Sequence, residues 1–452
     1  MSRQLKLVLI ISIIASFVAF LDSSVVNVAL PAIIRDLGGG LEVQQWIVDA
    51  YLITLGSLIL LAGSLSDLFG RKRILVIGLA AFGITSALCA VAPTSSFLIV
   101  TRGMQGMAGA LLVPSSLALI ISSFSGKAQG KAIGTWTAWT GIAFIVGPLL
   151  GGFLVDSLSW RLIFAINVIP ILFCIWLLSK LKIRDNLSNV KLDVYGAILC
   201  SLGLFGTVFA LIEQAHFGWS SNVILGTLIG GVVSLIAFVV YESKIPDAML
   251  PLLLFKVRNF TAGNIATVTI YGALSIATFL LVIFLQQVSG YSALEAGLAL
   301  LPVTIVMFLL SPQFGRLSGK YGPRLFMAFG PIISGVGFLL MLKVTAQVNY
   351  PRELLPGILV FAFGLSMTVA PLTSAVLGDI EKGNAGIASA VNNAVARVAG
   401  LIAIAVVGVI TGSKITVPGF HRAILVTAIL LILGGVISLI GIRNHDKEIE
   451  IT

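Results

Sequence analysis

The sequence contains few charged residues for its length. Of 452 residues, only 10% are Asp, Glu, Lys or Arg, whereas 58% are hydrophobic and the mean hydropathy is +1.09. A soluble domain carries about 25% charged residues, which it needs to cover its water-facing surface. The scarcity of charge excludes a soluble globular protein. Apolar runs of about 20 residues instead predict an all-α polytopic membrane protein.

Cysteine is also scarce, and no connection between the apolar runs is long. Cys89, Cys174 and Cys200 each lie inside an apolar run, so we interpret them as small core residues rather than as a disulfide or metal set. We predict no metal and no cofactor. Without a soluble ATPase module, any energy source must be an ion gradient or the gradient of the substrate itself.

Fourteen apolar runs are long enough to cross a bilayer. The first follows Arg3 and Lys6 like a signal peptide, but it is too long for a signal core and is interpreted as a retained span. The runs are 8–30, 43–65, 73–92, 97–121, 132–155, 162–180, 192–212, 222–241, 261–286, 294–311, 325–342, 354–377, 388–410 and 422–442.

Basic residues are distributed unevenly between the two predicted sides. Of the 28 Lys and Arg residues, 20 fall on the side of the termini and 6 on the other side, while Arg102 and Arg397 lie inside spans. Cytoplasmic loops are enriched in Lys and Arg, so both termini are predicted to be cytoplasmic. The scattered basic residues favour this topological role over binding of nucleic acid, despite the net charge of +10.

An internal repeat links the two halves of the chain. The pattern that begins at Gly63 reappears at Gly315, an offset of 252 residues, and both copies follow an even-numbered span. Duplicated halves around a central pathway are typical of secondary transporters. We therefore predict an N-terminal six-helix half at 1–185, two additional helices at 186–258 and a C-terminal six-helix half at 259–452.

Several short motifs, in this order and spacing, resemble the major facilitator superfamily over nearly the whole chain, and specifically its fourteen-span drug:proton antiporter-2 family. They include Leu21-Asp22 to Pro31, Gly63 to Leu75, Arg102-Gly103-x-Gln105-Gly106, Gly134 to Gly152, Trp160 to Asn167 and Pro251 to Phe255. The resemblance implies the major facilitator fold and proton-coupled export by alternating access.

Three ionisable residues lie inside spans, where a charge is costly and indicates function. Counted from the middle of its span, Asp22 lies roughly 5 Å and Asp49 roughly 8 Å toward the outer side, and Arg102 lies at a similar depth. We expect a buried charge cluster that exchanges protons, although a static ion pair that only orients helices is the alternative. The sequence leaves open whether Asp22 or Asp49 carries the proton.

Other polar residues join this predicted cavity. Gln105 shares a helix face with Arg102, and Asn27 lies in the first-helix motif. In span 13, Asn393 and Arg397 share a face, although they could equally tie neighbouring helices together. Spans 9 to 14 contain no acid at mid-membrane depth, which argues against dicationic substrates.

Two further motifs take their roles from the resemblance. The segment after span 2, with Gly63, Asp67, Gly70, Arg71 and Lys72, is similar to the gating loop of the superfamily, in which Asp67 and Arg71 would form a latch between conformations. Span 5 resembles the antiporter motif, with one glycine replaced by alanine. Its residues are Gly134, Gly147, Pro148, Gly151 and Gly152, and we expect a kinked, closely packed helix.

The leading interpretation is a secondary active exporter, coupled to protons, of amphipathic organic compounds at the cell membrane. Its partners would be a small-molecule substrate, protons and the bilayer, and we expect a functional monomer and no nucleic acid. A dedicated exporter of one lipid, siderophore or self-made antibiotic is the alternative. An intramembrane enzyme is disfavoured because no HExxH or GxGD motif appears, and the duplicated halves disfavour a receptor or channel. Glu213, at the outer end of span 7, is interpreted as a surface residue.

Overall fold

The computed structural model describes residues 3–182, 192–245, 248–381 and 385–444, and helices dominate these segments. Within them, fourteen helices are long and apolar enough to cross a membrane. We number them as spans in chain order. They are Arg3–Leu37, Leu41–Phe69, Arg71–Ala90, Ser95–Ser123, Ala128–Ser157, Leu162–Lys180, Val194–Phe217, Asn222–Glu242, Arg258–Gln287, Ala293–Tyr321, Arg324–Lys343, Tyr350–Gly378, Gly386–Thr411 and Val417–Gly441. The predicted count of fourteen is confirmed.

Most helices extend beyond the apolar runs that predicted them. Span 2 was predicted over 43–65 and runs over Leu41–Phe69, because helical hydrogen bonding continues into the polar residues until a glycine stops it. Gly70 has φ 97° and Gly322 has φ 85°, a backbone conformation that favours glycine. These two glycines occupy equivalent positions in the internal repeat, and each ends a helix.

The described residues form two compact units. The first comprises 1–251 together with 278–298 and 404–416, and the second comprises 252–277, 299–403 and 417–452. The predicted three-part division of the chain stays a prediction. Its first boundary, between 185 and 186, lies outside the described residues.

The first unit contains spans 1 to 8. Its core includes Phe82 of span 3, Leu112 of span 4 and Cys174 of span 6, all of them fully buried. Spans 7 and 8 form a hairpin in which small residues allow close approach. A Cβ added at Gly206 would lie 2.8 Å from the Thr227 carbonyl oxygen.

The second unit holds spans 11, 12 and 14 and parts of spans 9, 10 and 13. Spans 11 and 12 pack with their backbones in contact at two levels. A Cβ added at Gly330 would lie 2.8 Å from the Gly364 carbonyl oxygen, and one added at Gly337 would lie 2.7 Å from that of Gly357. Glycine at these positions permits the contact, as expected for helices that associate inside a bilayer.

Candidate functional site

Asp22 lies at the centre of a buried polar network in the first unit. Its Oδ2 accepts a hydrogen bond from Arg102 Nη1 at 2.6 Å, and its Oδ1 accepts from Gln105 Nε2 and Asn167 Nδ2, both at 2.9 Å. The Asp22 side chain is 0% exposed and that of Arg102 is 1% exposed. Three donors and one formal positive charge therefore satisfy an ionised Asp22 carboxylate.

Arg102 is held by more than its ion pair. Its Nε donates to the Ile47 carbonyl oxygen at 3.1 Å and its Nη1 also donates to Gln105 Oε1 at 2.7 Å. The guanidinium carbon lies 4.3 Å from the centroid of the Tyr51 ring, within range of a cation–π interaction. The network thereby fixes the guanidinium between spans 1, 2 and 4.

Ser86 completes the network from span 3. Its hydroxyl oxygen accepts from Gln105 Nε2 at 2.8 Å and from Asn167 Nδ2 at 3.3 Å. Both Ser86 and Asn167 are fully buried. Four helices, spans 1, 3, 4 and 6, thus contribute one or two polar side chains each to a single connected group.

Asp49 is also fully buried, but it stands apart from this network. Neither carboxylate oxygen of Asp49 has a hydrogen-bond partner among the described residues. Asp49 shares its helix face with Gln45, one turn earlier, whereas Arg102 contacts Ile47 and Tyr51. The predicted cluster of two acids around Arg102 is therefore corrected to one pair, because the helical rotation between 47 and 49 points Asp49 away from the guanidinium.

Gln45 lies one turn before Asp49 on the same face of span 2, nearer the outer end of the helix. Its contacts therefore show what this face packs against. The Gln45 Nε2 group donates to the carbonyl oxygens of Ile404 at 2.6 Å and Ala405 at 3.1 Å. These two carbonyls belong to the portion of span 13 that lies in the first unit. Gln286 makes a similar contact, since its Nε2 donates to the Val28 carbonyl at 3.0 Å.

The remaining predicted cavity residues are dispersed. The Oδ1 atom of Asn27 is buried without a partner among the described residues. In the second unit, Asn393 Nδ2 donates to the Ser389 carbonyl of its own helix, and Arg397 is half-buried. The amide that ties helices together is that of Asn392, which donates to Asn264 and Thr267 of span 9.

The segment predicted as a gating loop is mostly helical. Gly63 and Asp67 lie in the last turns of span 2, Arg71 and Lys72 begin span 3, and Gly70 alone separates the helices. Arg71 Nη2 lies 3.0 Å from Asp67 Oδ1, and both side chains are partly exposed. Lys72 Nζ donates to the Leu181 carbonyl at 2.6 Å. The Asp67–Arg71 pair therefore exists, but an exposed pair of this kind contributes little stability by itself.

Three glycines of span 5 are closely packed within the first unit. A Cβ added at Gly147 would lie 2.7 Å from Ser24 Cβ, and one at Gly151 would lie 2.5 Å from Val25 Cγ2. At Gly152 it would lie 2.5 Å from Leu294 Cα. The close packing on span 1 and on the start of span 10 thus requires glycine at these positions.

The other two residues of the antiporter motif differ from those glycines. A Cβ added at Gly134 would meet open space, so the structure shows no packing reason for glycine there. Pro148 lies inside a continuous helix. Its carbonyl oxygen would be 2.7 Å from a Cβ added at Gly297.

Reasoning from the sequence missed Ser86 and Asn167 as members of the network. Asn167 closes the motif that begins at Trp160, but no role was attached to it. The signal for Ser86 was a serine within an apolar span. Glu213 was also misjudged as a surface residue. It is half-buried, and its Oε1 accepts from Trp46 Nε1 at 2.7 Å, so it ties span 7 to span 2.

Comparison with protein families places this geometry in context. The family model described as Major Facilitator Superfamily matches residues 12–404 and 263–451. The two matches overlap and together cover most of the chain. The overlap is consistent with the internal repeat.

Curated relatives match over most of their length. The chain is 31% identical to "Multidrug transporter protein MdtP" of Bacillus subtilis, over 91% of this chain and 76% of the relative. It is 31% identical to "Puromycin resistance protein pur8" of Streptomyces alboniger, over 89% of this chain and 81% of the relative. It is 30% identical to "Tetracenomycin C resistance and export protein" of Streptomyces glaucescens, over 87% of this chain and 74% of the relative.

Solved structures share the fold at low sequence identity. A peptide transporter POT in complex with sulfate superposes with a TM-score of 0.71 at 14% identity, covering 96% of this chain and 93% of that one. A bacterial homolog of the human lysosomal transporter Spinster superposes with a TM-score of 0.69 at 13% identity, covering 98% of this chain and 97% of that one. With fourteen spans, an internal repeat and these matches, the chain belongs to the major facilitator superfamily of membrane transporters.

Proposed function

We propose that the protein exports amphipathic organic compounds, including drugs, from the cytoplasm across the cell membrane in exchange for protons. Export is supported by the relatives, whose names describe multidrug transport and resistance to or export of antibiotics. Coupling to protons is supported by two buried carboxyl groups inside spans. The transporter would act as a monomer.

The observation that carries proton coupling is the contrast between Asp22 and Asp49. Asp22 has three donors and a paired guanidinium, which stabilise its ionised form. Asp49 has no partner among the described residues, so an ionised Asp49 would be an uncompensated buried charge that costs several kcal/mol. We therefore assign the ion pair with Arg102 to Asp22 and the transported proton to Asp49.

This contrast assigns different roles to the two acids. Asp49 holds the proton while its surroundings exclude water, and it releases the proton when a conformational change exposes or pairs the carboxyl. Asp22 and Arg102 position spans 1 and 4 around the site. A deprotonated Asp49 would also attract a cationic substrate, so that proton and cation compete for the same group.

Purified variants in liposomes test this assignment. Asp49→Asn should abolish transport driven by a proton gradient, because nothing is left to titrate, while exchange of substrate without a proton gradient persists. One cationic and one neutral substrate should be compared, since loss of the Asp49 charge weakens binding of the cation more. Full proton-driven transport by Asp49→Asn would refute Asp49 as the carrier.

A dedicated exporter of one self-made compound remains the second candidate. The relative from Streptomyces glaucescens is named for resistance to and export of a single compound, tetracenomycin C. A resistance screen in an efflux-deficient host separates the two possibilities. Protection against chemically unrelated drugs supports the broad exporter, and protection against one class supports the dedicated one.

A further inference from the structure

Two buried carboxyl groups meet at one end of the hairpin formed by spans 7 and 8. Asp193 immediately precedes span 7, and Glu242 is the last residue of span 8. Their side chains are 7% and 2% exposed. Both lie at the end of the hairpin that the distribution of basic residues assigns to the cytoplasmic side, far along the helices from Glu213.

One oxygen of each carboxyl is fixed by a backbone amide. Asp193 Oδ1 accepts from the Gly196 amide at 2.8 Å and caps span 7. Glu242 Oε2 accepts from the Leu250 amide at 2.9 Å. These two bonds hold the carboxyl groups in place and determine the direction of the remaining oxygens.

The remaining two oxygens point toward the same small space beside Gly196, and the Tyr241 hydroxyl lies next to Asp193. Neither Asp193 Oδ2 nor Glu242 Oε1 has a hydrogen-bond partner among the described residues. A Cβ added at Gly196 would collide with Asp193 Oδ2 and would lie 2.5 Å from Glu242 Oε1. Both oxygens therefore border the same small space. Because each oxygen lies within 2.5 Å of the same point, the two carboxyl groups are adjacent.

No positive charge compensates this pair in the described part of the chain. The ion pairs found there join other residues. The other titratable groups near the pair are Tyr195 and Tyr241, whose ring centroids are 6.5 Å apart, and the thiol of Cys200. Span 2 contributes only Leu58, Leu60 and Leu61 to the apolar cluster at this end. Two carboxylates in such a place cannot both be charged without a large cost.

We propose that Asp193 and Glu242 bind one proton between them, taken from the cytoplasm, and that this proton fastens the segment 248–251, called the linker below, to the hairpin. The proton sits between Asp193 Oδ2 and Glu242 Oε1, which makes one group a donor and the other an acceptor. When the proton leaves, the two carboxylates repel each other. The Leu250 amide then loses the oriented Glu242 oxygen that holds it.

The linker connects this site to span 2. Met249 and Leu250 pack with Ala197 of span 7 and Phe238 of span 8 in an apolar cluster that also receives Leu58, Leu60 and Leu61. These three leucines lie about two helical turns before Asp67. Release of the linker would therefore loosen the support of the segment of span 2 that leads to Asp67 and Arg71, and would make the transporter responsive to cytoplasmic pH.

Amide hydrogen exchange of the purified full chain tests the proposal without any substrate. Peptides that contain Leu250 should be followed from about pH 6 to about pH 9, with exchange times scaled for the intrinsic pH dependence of the chemistry. In the unmodified protein, protection of this segment should fall by about tenfold or more as the proton leaves. Peptides from span 14 should show no such change.

Two variants imitate the protonated pair. In Glu242→Gln, the amide oxygen can accept from Leu250 while the amide nitrogen donates to Asp193. In Asp193→Asn, the oxygen can accept from Gly196 while the nitrogen donates to Glu242. Each variant should keep its protection at about pH 9, and the second serves if the first fails to fold. Glu213→Gln, the same change at the opposite end of the hairpin, should leave the pH profile of the linker unaltered.

The outcomes separate the possibilities. Protection that does not depend on pH in the unmodified protein would overturn the proposal, as would an unchanged pH profile in both imitating variants. Recovery of protection at about pH 9 on adding sodium or calcium would show that a cation, and not a proton, bridges the pair. Because exchange does not involve transport, these results are independent of whether Asp49 carries the coupling proton.

Discussion

The contrast between Asp22 and Asp49 predicts that the same substitution will destabilise the protein strongly at Asp22 and hardly at all at Asp49. Replacing either aspartate with asparagine keeps the shape of the side chain and removes its ability to carry a negative charge. At Asp22 the negative charge is paired with Arg102 at 2.6 Å. At Asp49 no partner exists among the described residues.

The size of each effect follows from the contacts. In Asp22→Asn, the amide oxygen can still accept from Gln105 and Asn167, but the amide nitrogen would face the Arg102 donor. Removing one member of a buried ion pair costs about 3–5 kcal/mol, because the other charge is left uncompensated. In Asp49→Asn, an amide replaces a neutral carboxyl group, and we expect a change in the free energy of unfolding below about 1 kcal/mol.

Thermal unfolding in detergent measures both effects, since the unfolding temperature should fall clearly for Asp22→Asn and stay near that of the unmodified protein for Asp49→Asn. A double variant supplies the control. Asp22→Asn combined with Arg102→Met removes the orphaned charge as well as its partner, and it should recover part of the lost stability. Transport should remain impaired in the double variant, because the network that positions spans 1 and 4 is gone.

The reasoning fails if the ranking is reversed. A stable Asp22→Asn together with an unstable Asp49→Asn would mean that Asp49 is the charged carboxyl and that the assignment of the proton is wrong. Equal destabilisation by both substitutions would mean that Asp49 has a structural partner in the membrane, and would also remove the argument for a neutral Asp49.

Three further predictions concern other parts of the chain. Gly152→Val should impair transport, because the added side chain would clash with Leu294. Gly134→Ala should not impair transport, because a Cβ at that position meets open space. Equal transport by both variants would refute the packing argument. Asp67→Asn should leave folding and insertion intact but reduce transport at equal expression, and unchanged transport would leave this segment only its role in topology. Reporter fusions should read external after Ser220 and Val348 and cytoplasmic after Asn186 and Lys382, and a cytoplasmic reading at Ser220 would contradict the fourteen-span topology.

The sequence predicted the spans well because the thickness of the bilayer sets the length of an apolar helix. It predicted helix ends less well, because polar residues at the membrane surface can continue a helix. The segment after span 2 shows this limit. Basic and glycine residues suggested a loop, but Asp67 and Arg71 are one helical turn apart on either side of Gly70, the only break between the two helices.

The site was predicted in part. Asp22 and Arg102 were recognised because ionisable residues inside spans are rare, and Gln105 because it shares a helix face with Arg102. The structure joins all three in one network. Depth along a helix was the only coordinate available from the sequence, and it placed Asp49 beside Arg102. Rotation about the helix axis decides contact as well, and it separates position 49 from the face formed by 47 and 51.

The three carboxyl arrangements within the first unit differ in how each would handle a proton. Asp22 is held by fixed donors from two other spans, which suits a group that keeps its charge while helices move. Asp49 is buried without such donors, which suits a group that gives up its proton once its surroundings change. Asp193 and Glu242 face each other at the end of a hairpin that lies outside the two predicted six-helix halves. A proton bound there would respond to the cytoplasm alone, and it could adjust the transporter without taking part in the exchange.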